Sequence, residues 1–165
     1  MTKHLGCLIG IAVAGAVAAS AANAYPFASP EGKFIAEFPA APTLEEAEGT
    51  TTSGIPYVRY RWSTENKDGW WAVSMFVYSK VVPRDNDTNA RGAVAANKGN
   101  LVSQRPITQS GVPGREIRIE VPQSGVLRLR FFRIGERFYQ VVFSGKPGTA
   151  TSDVDAFLDS FRAVN

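Results

Sequence analysis

Apolar and polar residues alternate through most of the segment from Pro113 to Ser144, and this two-residue period is the strongest constraint on the fold. Successive side chains point to opposite faces of a β-strand, so the period predicts strands and excludes an amphipathic helix here. Turn residues interrupt the alternation at Pro122–Gly125 and again at Gly135 and Glu136. We therefore expect a meander of three antiparallel strands with one apolar face.

The rest of the chain adds strands before this meander and a helix on either side of it. Strand-like alternation or apolar runs occupy residues 33–38, 44–52, 57–63 and 70–79. Apolar residues recur at helical spacing in 85–102 and in 151–164, where Thr151 or Ser152 is the expected N-cap. The fold class that follows is α+β, an antiparallel sheet of six or seven strands flanked by two helices.

Arginines are concentrated on one side of the predicted meander. If Ile117 and Ile119 share the core face with Leu129, Arg128 and Arg130 must share the other face with Glu116, Arg118 and Glu120. We interpret this face as charge-balanced and mainly solvated, with an anion site as the alternative. Changing Arg128 and Arg130 to Gln is then expected to alter stability by about 1 kcal/mol or less.

Residues 1–24 have the features of a secretory signal peptide. Lys3 precedes an uncharged apolar run, and Ala22-Asn23-Ala24 fits the small-residue pattern of a cleavage site. The run is short for a membrane-spanning helix, so a retained anchor is the weaker alternative. We expect cleavage after Ala24, a single α+β domain over 25–165, no stable membrane insertion after cleavage, and a periplasmic or secreted location.

Cleavage would remove the chain's one cysteine and one histidine, Cys7 and His4. A mature protein without thiol or imidazole forms no disulfide and cannot use a Ser-His-Asp or Cys-His mechanism. It also lacks the usual ligands of a zinc site, so we expect no metal and no cofactor. A formal net charge of only +3 for the whole sequence gives no basis for binding nucleic acid.

The candidate binding residues lie on two strand-like segments joined by one turn. Aromatic rings and guanidinium groups alternate there, a combination that suits sugar rings, peptides or lipid headgroups. The candidates are Tyr57, Arg59, Arg61, Trp70 and Trp71. The competing and favoured interpretation is that Tyr60, Trp62 and one of the paired tryptophans simply pack in the core beneath a helix.

Paired carboxylates leave a hydrolase open as a further alternative. Glu45, Glu46 and Glu48 lie on one polar segment, and Glu116 and Glu120 share a predicted strand face. The first group is typical of a solvated edge strand, and the second of cross-strand partners for arginine. Neither pattern gives a reason for desolvation, so we expect no catalytic residue.

Four segments together resemble a family of small secreted bacterial proteins of unknown function with a PsbP-like fold. They are Ser29–Glu48 (SPEGKFIAEFPAAPTLEEAE), Gly111–Glu120 (GVPGREIRIE), Arg130–Gly148 (RFFRIGERFYQVVFSGKPG) and Asp155–Arg162 (DAFLDSFR). The PsbP fold belongs to an extrinsic subunit of photosystem II. The resemblance implies an α/β/α sandwich and, by analogy, a non-enzymatic accessory role. It implies no functional residue.

These observations favour an exported soluble envelope protein that binds a partner protein or a small ligand and is not an enzyme. Two alternatives remain at this point. One is a module that binds cell-wall glycan through the aromatic strands, and the other is a carboxylate-based hydrolase. The sequence does not identify the envelope partner or the ligand.

Overall fold

A computed structural model describes residues 24–80, 82, 86–123 and 125–164. The predicted signal peptide, apart from Ala24, and Asp85 lie outside the described residues. The elements in chain order are β1 (Tyr25–Ser29), β2 (Phe34–Phe38), β3 (Thr43–Thr50), β4 (Pro56–Asn66), β5 (Gly69–Tyr78), α1 (Asn86–Asn97), β6 (Asn100–Gln109), β7 (Val112–Val121), β8 (Gly125–Ile134), β9 (Arg137–Gly145), α2 (Thr151–Ser160) and β10 (Arg162–Ala163).

Seven strands form one antiparallel sheet in the order β3-β4-β5-β9-β8-β7-β6. It consists of two meanders, β3 to β5 and β6 to β9, which join where β5 pairs with β9. The predicted three-strand meander is β7, β8 and β9. Gly125 turns the chain between β7 and β8 at φ +108°, and a Cβ there would lie 2.2 Å from the carbonyl oxygen of Gly145. The predicted fold class is confirmed.

Each face of the main sheet has its own apolar core. Alternation sends neighbouring residues to opposite cores, as with Phe131 and Phe132 on β8. The α1 face is the side on which α1 packs, mainly over β7 and β8. The α2 face is the side covered by α2 and by a small sheet. The chain is therefore layered with one helix on either side of the main sheet, as the sequence predicts.

The small sheet has the order β1-β2-β10 and closes the α2 face. Its inward residues Phe34 and Phe38 pack on the C-terminal helix region, with ring centroids 5.8 Å from Phe161 and 5.2 Å from Phe157. The backbone N–H of Glu37 donates to the Ser160 hydroxyl over 2.8 Å, between residues 123 positions apart. Early and late segments of the chain thus stabilise each other.

Both helices differ in detail from the prediction. The first ends at Asn97 instead of continuing to residue 102, because β6 begins at Asn100 and pairs with β7. Gly99 allows the close approach at this junction, since a Cβ there would meet Ile119 at 2.3 Å. The second helix has Ala150 at its N-cap position and no side-chain cap, so the prediction of a Thr151 or Ser152 cap is wrong.

Three strands are absent from the prediction. The exposed edge strand β6 contains Pro106 and a bulge between Leu101 and Ser103, which disturb its alternation. The other two, β1 and β10, are short. Within the described part of the chain, no helix is both long and apolar enough to cross a membrane.

Candidate functional site

The half of the α1 face that α1 leaves uncovered, on β3, β4 and β5, collects aromatic and arginine side chains. Antiparallel register places odd-numbered residues of β4 beside even-numbered residues of β5, for example Arg59 opposite Phe76 and Arg61 opposite Ser74. We call this surface the aromatic–arginine face. Its members are Glu45, Tyr57, Arg59, Arg61, Trp70, Phe76 and Tyr78.

Four of the five predicted binding residues lie on this face, and Trp71 does not. Alternation turns Trp71 to the α2 face, where it is 2% exposed and packs 4.5 Å from Phe143 and 5.4 Å from Phe157. Its indole N–H donates to Asn66 Oδ1 over 3.3 Å. Trp62 is buried in the same core. The interpretation of Trp71 as a binding residue is therefore wrong, and the core interpretation is confirmed for Trp71 and Trp62.

Two guanidinium groups share one carboxylate on the aromatic–arginine face. Arg59 Nη2 lies 2.6 Å from Glu45 Oε1, and Arg61 Nη1 lies 3.7 Å from Glu45 Oε2. The Nε atoms of both arginines are shielded from solvent and have no hydrogen-bond partner. Burial lowers the pKa of Arg61, and the neighbouring Arg59 charge lowers it further, against the opposing effect of Glu45. The cluster carries an excess of one positive charge.

Aromatic rings surround this charge. The Arg61 guanidinium carbon lies 5.4 Å from the Trp70 ring centroid, within the range of a cation–π contact. Tyr57 packs 5.5 Å from Phe76 and 5.8 Å from Tyr78. The Tyr57 ring lies over Gly49, where an added Cβ would meet the phenol at 2.5 Å. The arrangement is a half-buried, mainly apolar surface with positive charge at its centre.

An open cleft of about 570 Å³ adjoins this face where β4 meets the end of β3. Glu48, Gly49, Tyr57 and Tyr78 are among the residues that line it. Tyr78, Phe76 and Glu45 also lie on this face and are absent from the set of candidate residues predicted from the sequence. The signal that could have found them is strand register, because the short turn between β4 and β5 fixes which residues lie opposite each other.

The sequence correctly predicts which residues share the arginine face of the meander. The prediction that this face is mainly solvated is wrong. Register puts Arg128 and Arg130 opposite Arg118 and Glu116, as the parity argument requires. The face is not mainly solvated, because α2 lies over part of it. The side chains of Arg130, Glu116 and Arg128 are only 7%, 10% and 13% exposed.

These three side chains and four partners, among them the largely exposed Arg105, Asp155 and Asp159, form what we call the arginine–carboxylate network. Its members are Arg105, Gln109, Glu116, Arg128, Arg130, Asp155 and Asp159. Glu116 accepts hydrogen bonds from three arginines, the shortest being 2.6 Å from Arg130 Nε. Arg128 and Arg130 each donate to one aspartate of α2 over 2.6 Å. Three positive and three negative groups therefore balance at the junction of α2 and the sheet.

Gln109 completes the network at the end of α2. Its side-chain NH₂ donates to the carbonyl oxygens of Leu158, Asp159 and Phe161, and its amide oxygen accepts from Arg130. Carbonyl groups at a helix C-terminus lack partners within the helix, so this one side chain satisfies groups that would otherwise be open. The network attaches α2 to the edge strand β6.

Glu116 has the wrong properties for a general acid. Burial raises its pKa, but hydrogen bonds and charges from Arg130, Arg105 and Arg128 outweigh burial and hold the pKa below its usual value. A catalytic acid needs the opposite shift. In the residues for which the structure gives positions, no group of three or more His, Cys, Asp and Glu side chains is placed to hold a metal ion.

Comparison with solved structures identifies the architecture. The chain is similar to the cyanobacterial PsbP protein CyanoP of Synechocystis sp. PCC 6803, known from a solution structure. The TM-score is 0.60, the alignment covers 93% of this chain and 98% of that chain, and sequence identity is 13%. No family model and no curated protein sequence matches. The predicted PsbP-like fold is confirmed.

Proposed function

We propose, with the PsbP-like fold as the premise, that the protein is an exported, non-catalytic accessory module that holds a partner protein or a small ligand on its aromatic–arginine face. The observation that supports this most is the uncovered half of the α1 face. Half-buried Trp70, Tyr57, Phe76 and Tyr78 line it beside two arginines. Aromatic and arginine side chains are the residue types that contribute most to binding in protein interfaces.

A non-catalytic role agrees with the chemistry of the buried carboxylate. Glu116 is held as an anion by three arginines and serves the attachment of α2. The hydrolase alternative would need a carboxyl group with a raised pKa close to a second carboxylate. Incubation with peptidoglycan, peptide and ester substrates over pH 4 to 9 tests this alternative. A bell-shaped rate profile that survives repurification would overturn the non-catalytic proposal.

Export is the second element of the proposal and rests on the sequence of residues 1–24. The protein recovered from the cell envelope or medium is expected to begin at Tyr25 when its N-terminus is sequenced. An intact N-terminus, or recovery of the protein in the membrane fraction after high-salt washing, would contradict export with cleavage.

Affinity capture with matched variants tests the binding surface. Trp70→Ala and Tyr57→Ala each remove a half-buried ring from the aromatic–arginine face. Tyr25→Ala removes an exposed ring from β1 and is the control. Envelope components retained by the original protein and by the control should be lost from both face variants. Retention that does not depend on Trp70 or Tyr57 would contradict the proposed surface.

The glycan-binding alternative is retained in a narrower form. It was based on the aromatic strands, and of their two adjacent tryptophans Trp70 alone lies on the aromatic–arginine face. Register places Tyr57 opposite Tyr78 and Trp70 opposite Glu65, at opposite ends of the hairpin, so Trp70 by itself would form the stacking platform for a sugar ring. Sedimentation with insoluble peptidoglycan distinguishes the two functions, with Trp70→Ala as the test variant. A Trp71→Ala variant would test core packing instead.

A further inference from the structure

The aromatic–arginine face has one more positive group than negative groups, and this imbalance indicates the chemistry of its ligand. Within the described ranges, Glu45 is the one carboxylate that pairs with Arg59 or Arg61. In the arginine–carboxylate network, by contrast, acidic and basic groups are equal in number. One additional carboxylate would bring the aromatic–arginine face to the same balance, whereas a phosphate dianion would exceed it.

The position of Glu45 allows a ligand carboxylate to displace it from the two arginines. Its side chain is 55% exposed on the edge strand β3, so the carboxylate can leave the arginines and enter water at little cost. Its bond to Arg59 is short at 2.6 Å, but its distance to Arg61 is 3.7 Å. Arg61 is thus the less completely paired of the two guanidinium groups.

The neighbouring rings specify what the carboxylate is attached to. Arg61 lies over Trp70, and Tyr57 contacts Phe76 and Tyr78 on the same face. An apolar or aromatic group joined to the carboxylate would cover the Trp70 ring beside Arg61 and exclude water from the ion pair, which strengthens it.

We infer that the aromatic–arginine face binds a carboxylate next to an apolar or aromatic group, presented by an acidic segment of a partner protein, and that Glu45 occupies the position of this carboxylate in the free protein. The inference rests on the proposed function and adds the class of partner. Glu45 is then a competitor of the ligand, and its removal strengthens binding.

Titration with small anions tests this competition directly. The probes are phenylacetate, acetate and inorganic phosphate at constant ionic strength. Trp62 and Trp71 are buried, so protection of tryptophan fluorescence from acrylamide reports on half-buried Trp70. Phenylacetate should protect the fluorescence at lower concentration than acetate or phosphate. Arg61→Gln should weaken phenylacetate binding about tenfold or more, and Arg118→Gln, an exposed strand arginine elsewhere, should leave it unchanged.

Two glutamate variants of equal charge decide the role of Glu45. Glu45→Gln should tighten phenylacetate binding several-fold. Glu46→Gln makes the same change in net charge on β3 at a position that register places opposite Tyr60, on the other face, and should have little effect. Weaker or unchanged binding by Glu45→Gln would overturn the inference, as would tighter binding of phosphate than of phenylacetate. If partner capture still requires Trp70 while phenylacetate fails to bind, the inference fails and the proposed function stands.

Discussion

Two arginine clusters on opposite faces of the same sheet have opposite characters. The arginine–carboxylate network lies beneath α2, has buried Glu116, Arg128 and Arg130 at its centre, and matches three arginines with three acidic groups. The aromatic–arginine face lies in the half of the sheet that neither α1 nor α2 covers and gives two arginines one carboxylate. The charged residues in the sequence do not distinguish the two clusters. The positions of the two helices in the structure distinguish them.

One arginine cluster attaches α2 to the sheet, and the other lies on the proposed binding surface. Buried guanidinium groups must be paired, because an unpaired buried charge costs several kcal/mol. Partly exposed ones tolerate incomplete pairing since water screens them. A surplus of charge can therefore persist on the open face and remain accessible to a ligand. The following predictions test this separation, beginning with the largest expected effect.

Removing the central carboxylate of the network should cause the largest loss of stability. Glu116→Gln keeps the shape of the side chain but leaves Arg128 and Arg130 without their shared anion. We expect the free energy of unfolding to fall by about 3 kcal/mol, as for other broken buried ion pairs. Urea denaturation at neutral pH measures the change.

Glu120→Gln is the matched control, because Glu120 is exposed on the same strand and the same face. It should change stability by about 0.5 kcal/mol or less. Equal effects of the two substitutions would show that Glu116 is as weakly coupled as a surface residue.

Acid should remove part of the same stabilisation without a mutation. The pKa of Glu116 is lowered in the folded protein, so the unfolded chain takes up the proton first as pH falls. The contribution of Glu116 is complete above the ordinary glutamate pKa of 4.5 and is lost as pH falls through the lower folded-state value. The stability gap between the original protein and Glu116→Gln should therefore narrow between pH 7 and pH 3. A gap of constant size contradicts the lowered pKa.

Gln109→Ala should have an intermediate effect. It removes hydrogen bonds to three carbonyl groups near the end of α2 and one from Arg130. Unsatisfied buried groups cost about 1–3 kcal/mol, so we expect a loss of about 2 kcal/mol. Gln104→Ala, an exposed glutamine on the same strand, is the control and should be nearly neutral. Hydrogen exchange at the end of α2 should accelerate in the first variant only.

The smallest effect on stability should come from the open cluster. Changing Arg59 and Arg61 together to Gln leaves Glu45 exposed to water, so no buried charge remains unpaired. Stability should change by less than about 1 kcal/mol. A loss as large as that of Glu116→Gln would mean that both arginine clusters hold the fold together and that the contrast between them is wrong.

Most of the fold was predictable because the alternation of apolar and polar residues determines where the strands lie and which side chains share a face. Register between β7 and β8 matches the parity argument, including the common face of Arg128, Arg130 and Glu116. Edge strand β6 was not predictable in the same way, since one side of it makes no ladder and Pro106 interrupts its pattern.

The burial of the network depends on where α2 packs, and no local sequence pattern predicts the position of α2. One signal could have indicated it. Asp155 and Asp159 are four residues apart on a helix, about 6 Å along its axis, and Arg128 and Arg130 are two residues apart on a strand, about 6.7 Å. The similar spacing lets two ion pairs form side by side. For the open face, the sequence correctly grouped four candidate residues on one surface. Alternation requires neighbouring tryptophans on a strand to point in opposite directions, but it does not say which of Trp70 and Trp71 is buried.

The bond between Glu37 and Ser160 bears on the order of events during synthesis. The β1–β2 hairpin leaves the ribosome well before the helix that covers it, because the two bonded residues are 123 positions apart. Until α2 has emerged, Phe34 lacks its contact with Phe161 and Phe38 lacks its contact with Phe157. Contacts so distant in sequence form late and slowly. The inner face of the β1–β2 hairpin therefore stays incompletely covered, and open to chaperones, until nearly all of the chain has been made.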